Sequence, residues 1–157
     1  MRHILSVLLT TALLAGCQTR HAPPSSHLQS FNAGAEIAQP PDMALKTVQH
    51  WIIKSFPDTT QPIQAISPQT GEIRAQVQFD FPCMHEHDCL QKQGHKVNAT
   101  LRIKIMPQRA AINLSHVYWQ AGSTGPGEPI SDPADKQQLQ ATLQGLANSL
   151  FTELAMP

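Results

Sequence analysis

Charge is scarce in this sequence and favours neither sign: Lys and Arg number 11, Asp and Glu 11, together 14% of 157 residues. A sequence-independent grip on nucleic acid needs clustered cations in excess, so no nucleic-acid partner is expected. Nor is any apolar run long enough to cross a bilayer, which takes about 20 residues. The run from Ile4 to Leu14 stops short of that and is broken by Ser6, Thr10 and Thr11. Internal repeats are absent. So are the common catalytic signatures, beginning with the Gly-x-Ser-x-Gly elbow of serine hydrolases. His85-Glu86-His87 is not the zinc-protease His-Glu-x-x-His motif, because its second histidine comes two residues too early. Gly122-Ser123-Thr124-Gly125-Pro126-Gly127 lacks the lysine and the spacing of a phosphate loop. Ser115 and His116 are strand neighbours whose side chains point to opposite faces, so they cannot act as nucleophile and base. No catalytic residues are assigned, and the chain is read as a non-enzyme.

What the sequence does carry begins at its start. Arg2 and His3 give a weakly cationic opening, and the apolar stretch after them has the length of a signal-peptide core. Leu14-Ala15-Gly16-Cys17 resembles the bacterial lipobox, in which the chain is cut before the cysteine. There the thiol receives a diacylglycerol, and the new amine commonly gains a further acyl chain such as palmitate. The resemblance implies a signal peptide over residues 1–16 and lipidation at Cys17. Two or three acyl chains, at ~0.8 kcal/mol per buried methylene, hold a protein on a bilayer far longer than one. Gln18 stands where an aspartate would favour the inner membrane, which implies a lipid-anchored place on the outer membrane, facing the periplasm. Cleavage removes Arg2, leaving ten cationic side chains against 11 acidic ones and a formal charge of −1.

From Gln18 to Ser30, with Pro23-Pro24-Ser25-Ser26 at its centre, the composition is that of an extended tether. Fully stretched it reaches roughly 40 Å. Residues 31–157 are read as one domain. Phe31 to Gln39 alternates as a weak strand, Pro40-Pro41 ends it, and Asp42 is placed to cap an amphipathic helix from Met43 to Phe56. Ile63 to Ser67 is a short strand, followed by a tight turn through Gly71. Glu72 to Phe81 and Val97 to Ile105 alternate without a slip, apolar residues on one side and polar on the other. That is the pattern of antiparallel strands with one covered and one wetter face. Ala110 to Gln120 starts the same way on Ile112 and Leu114. Val117 and Trp119 then fall out of phase, which a bulge near His116 would explain. Residues 121–131 form a long loop. Asp132-Pro133 opens a last helix, Ala134 to Leu154, with a stripe of Leu139, Leu143, Leu146, Leu150 and Leu154. The fold class is α+β, in the order β-α-β-β-β-β-α, with the helices on one face of a curved antiparallel sheet.

Trp51 late in the first helix, the Gly71-Glu72-Ile73 hairpin exit, and Leu101-Arg102-Ile103-Lys104-Ile105 leading to a turn at Arg109 carry a further likeness. With the element order, they resemble an uncharacterised bacterial domain of envelope proteins that has a TATA-box-binding-protein-like fold. That likeness implies the fold and no catalytic residues. Fold does not carry function.

Cys83-Met84-His85-Glu86-His87-Asp88-Cys89 is the segment richest in reactive side chains. If Cys17 carries lipid, two thiols remain in an oxidising compartment, and a Cys83–Cys89 disulfide is the preferred reading. It would contribute about 2 kcal/mol through the small loop it closes. Metal is the competing reading, with Cys83, Cys89, His85 and His87 as ligands for Zn²⁺ or Cu⁺. A hybrid keeps the disulfide and lets His85 and His87, with His95, bind metal weakly. The preferred reading requires no cofactor; the alternatives allow weakly bound Zn or Cu. Trp51, Trp119 and the helical leucines are expected in the core, and a gap between helix and sheet would suit an apolar ligand. The preferred function is a non-catalytic binding or assembly-accessory module held to its membrane through Cys17, with another envelope protein as partner. Metal binding and apolar-ligand carriage are the alternatives.

Overall fold

The computed structural model describes Leu28 and residues 30–83, 86–122 and 125–156. The lipobox with Cys17 lies outside the described residues, and so does His85.

The unbroken alternation becomes two long strands, β3 (Glu72–Asp80) and β4 (His95–Met106). They pair so that Ile73 meets Ile103, Ala75 meets Leu101 and Val77 meets Ala99 on one face. β5 (Arg109–Ala121) adds beside β4 through the Pro107-Gln108 turn, where Gln108 takes a left-handed φ of 60°. Proline followed by a left-handed residue is the pattern of a type II turn. β1 (Ser30–Glu36) pairs with the first half of β5, and β2 (Ile63–Ser67) closes the other edge. The order is β1-β5-β4-β3-β2, antiparallel throughout. A two-residue strand, β6 (Gly127–Glu128), pairs with Trp119 and Gln120 beyond the end of β1. It falls inside the segment expected to be loop.

The bulge lies at His116, whose φ is +52°. Between Asn98 and Thr100 on β4, the partner strand steps from Tyr118 to Ser115, one residue too many. The extra residue returns Val117 to the covered face, so both halves of β5 bury their apolar residues.

Among the described residues three helices accompany the sheet: α1 (Pro41–Ser55), α2 (Glu86–Gln91) and α3 (Pro133–Ala155). α1 starts earlier than expected. Pro40 is its N-cap and Pro41 its first residue, so Asp42 sits inside the first turn and makes no cap hydrogen bond. The fixed φ of proline suits that first position, which shifts the boundary forward. Asp132 does cap α3, accepting from the backbone N–H of Ala134 and Asp135 at 2.9 and 3.1 Å. The stripe of α3 is corrected by one member: Ala147 is fully buried and Leu146 only partly. α2 occupies part of the cysteine-bracketed connection. None of its residues is buried.

α1 and α3 cover one face. Trp51, Ile52, Leu101, Ile103, Leu143 and Leu150 fill the space between helices and sheet, each under 2% exposed. The alternative of an apolar-ligand carrier would need room among these same side chains. Each such side chain contributes roughly 1.5–3 kcal/mol by leaving water. The Trp51 indole N–H donates to Ser149 Oγ at 2.9 Å, which joins the two helices without leaving a buried donor unsatisfied. Leu28 also belongs to the core and donates its N–H to Ile130 O, so packing begins ahead of residue 31.

The end of α3 is held by the connection between β1 and α1. Ala38 and Gln39 donate backbone N–H groups to Leu154 O, and the Gln39 side-chain amide donates to Glu153 O and Met156 O. These bonds satisfy terminal carbonyls that a helix leaves without partners of its own.

Candidate functional site on the open face of the sheet

The cysteine-bracketed segment comes first among the sequence candidates. Cys83 and Cys89 are joined as a disulfide, with their Cα atoms 5.1 Å apart. In that state neither sulfur is a thiolate, the form that binds metal. His87 is exposed on α2, its Nε2 3.1 Å from the Gln91 side-chain nitrogen. His95 stands apart at the start of β4, tilted against the Trp119 ring with centroids 4.8 Å apart. Among the described residues, which omit His85, no three His, Cys, Asp or Glu side chains gather as a metal site.

This end of the molecule is organised instead around Lys92. Its ammonium bonds Asp88 at 2.7 Å and Asp135 of α3, and it lies 5.0 Å from the Phe81 ring centroid. Burial works to lower the Lys92 pKa, but the bonds to Asp135 and Asp88 outweigh it and hold the pKa above the ordinary lysine value. The disulfide segment is thereby fastened to the N-terminal turn of α3. Ser115 directly precedes the bulge residue His116; Ser115 is partly buried, His116 is exposed, and no hydrogen bond joins them.

The opposite face of the sheet carries no helix among the described residues. Its side chains are the polar halves of the same alternation: Arg74, Gln76 and Gln78 on β3, Asn98, Thr100, Arg102 and Lys104 on β4. Arg109, Asn113 and Ser115 on β5 and Asn32 on β1 complete it. None of these residues is buried. They are nonetheless ordered by one another. Gln76 donates to Thr100 at 3.0 Å, and Gln78 donates to Asn98, which donates to Gln120, which donates to Gly125 O. Asn113 donates to Asn32 at 2.7 Å across β5 and β1. Such cross-strand pairs fix side chains on a surface that would otherwise be free to rotate.

Charge divides this face into two ends. At one, Lys96 bridges Asp58 and Asp80, both at 2.7 Å, and these bonds raise its pKa. At the other, Glu72 receives Arg74 at 2.6 Å and Arg102 at 3.3 Å. The hydrogen bond from Arg74 holds the Glu72 carboxyl below the ordinary carboxylate range. Partial desolvation opposes this, while the charges of Arg102, Arg74 and Lys104 add to it. Lys104 and Arg109 make no ion pair among the described residues. The second end is therefore cationic within a chain that is neutral as a whole. Arg102, Lys104 and Arg109 are individually visible in the sequence as polar positions. Their convergence is not, because it depends on the pairing of β4, β5 and β1.

No protein-family profile matches the sequence, and no curated protein matches it. Solved structures do. A TBP-like protein from Parabacteroides distasonis superposes over 85% of this chain and 96% of its own, with a TM-score of 0.61 and 10% identity. The fold is TBP-like. A DUF4468 family protein from Bacteroides ovatus, also 10% identical, covers 84% of this chain and 82% of its own with a TM-score of 0.50. The likeness supports the expected curved antiparallel sheet with helices on one side. At this level of identity it concerns the fold alone.

Proposed function

We propose that this chain is a lipid-anchored protein of the bacterial envelope whose folded part binds another envelope component without catalysing a reaction on it. The observation that carries this reading is the open face: a helix-backed sheet whose other side holds an ordered polar surface. Its cross-strand bonds arrange donors and acceptors before any partner arrives, which lowers the entropy lost on binding. Anchoring rests on the lipobox ending at Cys17, and placement on the outer membrane, facing the periplasm, rests on Gln18. The formal charge of −1 after cleavage favours an envelope protein over nucleic acid as partner.

Photocrosslinking in intact cells tests the reading. A photoreactive residue replaces exposed Gln76 on the open face or, as a control, exposed Gln140 on the outside of α3. The expected result is a discrete adduct with an envelope protein from position 76 and none from position 140. Equal labelling from both, or none from position 76, overturns the open face as the binding surface.

A further inference from the structure

Strand register sets three rows of side chains across the cationic end of the open face. Asn32, Asn113 and Arg102 share one row; Gly34, Ala111 and Lys104 the next; Glu36, Arg109 and Met106 the third. The middle row begins with glycine and alanine, so it is a trough between taller neighbours. The result is a depression of about 460 Å³ lined by Asn32, Gly34, Arg102, Lys104, Arg109 and Asn113. Arg109 leans over it: one terminal guanidinium nitrogen is 4.0 Å from where a Cβ on Gly34 would stand. Arg102 is paired with Glu72 through Nε at 3.3 Å and lines the depression.

We propose that this depression binds a phosphate group carried on a phosphate monoester. Two guanidiniums and an ammonium border a floor that offers almost no side-chain bulk, and the Asn32 and Asn113 side chains form its far wall. Two fork-shaped guanidiniums and an ammonium exceed what the two oxygens of a carboxylate can use, whereas a phosphate monoester presents three oxygens and nearly two charges. The acids nearby are Glu72, already bonded by Arg74 and Arg102, and Glu36, the strand partner of Arg109. Against Arg74, Arg102, Lys104 and Arg109, these two leave a local excess of positive charge. The proposal rests on the open face being the binding surface and deepens it by naming the chemistry that one end recognises. A lipid headgroup and a soluble phosphorylated metabolite share that chemistry.

Nuclear magnetic resonance on the full lipidated chain in neutral detergent micelles separates them. The probes are glycerol 3-phosphate in solution and micelles doped with phosphatidic acid, with diacylglycerol as the uncharged control. A saturable shift of the Gly34 amide and the Asn32 and Asn113 side-chain amides is expected with at least one phosphate probe and not with diacylglycerol. A response to the soluble probe supports the phosphate site with a free ester as ligand; a response to doped micelles alone supports it with a headgroup. Combined Arg102→Gln, Lys104→Gln and Arg109→Gln should weaken binding by about tenfold or more. The Trp51 indole resonance should stay in place as the sign of an intact core. Gly34→Asp, which fills the trough and adds a negative charge while keeping every cation, should also abolish binding. No local shift with either phosphate probe, or unchanged affinity in both variants, overturns the proposal. If the crosslink from position 76 survives that failure, the phosphate site falls alone; if both fail, the open-face reading falls with it.

Discussion

Gly71 shows how narrowly one residue can be constrained. It leaves the turn between β2 and β3 with a φ of +65°, and a Cβ there would stand 2.2 Å from Ile105 O. Its own carbonyl accepts the Ile105 N–H at 2.7 Å, so neither backbone can retreat without losing the bond. Gly71→Ala should therefore cost more than left-handed strain alone, about 2 kcal/mol or more, read as a lower urea midpoint with an unchanged m-value. Beside it, Glu72 has a pKa depressed by Arg74. A depressed carboxylate contributes stability that is complete above its unfolded pKa, near 4.3 for glutamate, and is lost as pH falls through the lower folded value. Glu72→Gln should be destabilising near pH 7, and the gap from wild type should close as the medium is made strongly acidic. Urea titrations at several pH values would show it; a gap that widens in acid would contradict the assignment.

At the scale of elements, α2 depends on its surroundings. Its residues Glu86–Gln91 bury nothing, and helices of that length are not stable alone. The Cys83–Cys89 bond and the Lys92 contacts to Asp88 and Asp135 hold it. Replacing both cysteines with serine should cost about 2 kcal/mol. Hydrogen exchange should speed up over residues 86–92 while β3 and β4 stay protected. The same comparison explains what was legible in the sequence. β3 and β4 were, because Ile73 to Phe81 and Val97 to Ile105 keep a two-residue period that only a half-covered strand satisfies. The bulge at His116 was legible too, as a break in phase. α2 was not, since it has no apolar stripe. β6 was not, since two residues make no period. The start of α1 was misplaced because Asp42 looked like a cap while Pro41 was better suited to open the helix.

For the whole molecule, the two faces of the sheet divide the work: one is spent on stability and the other left for contact. Only the first division could be read from the sequence. Arg102, Lys104 and Arg109 occur within eight residues, but Asn32 and Gly34 join them through pairings such as Asn32 with Asn113, 81 residues apart. The proposed lipid anchor belongs to this scale as well. Cys17→Ser should move the protein from the membrane fraction to the soluble one while leaving its circular dichroism unchanged, and continued sedimentation with membranes would count against the lipid anchor. The bonds from Ala38 and Gln39 to the end of α3 carry a last consequence. They join the opening of the fold to its final helix across more than a hundred residues, and β1 likewise waits for β5. Contacts of that range are made late and slowly. A chain still lacking α3 has no way to complete this structure, so its folding waits on the final helix; export as proposed above would then present an unfolded chain for transport.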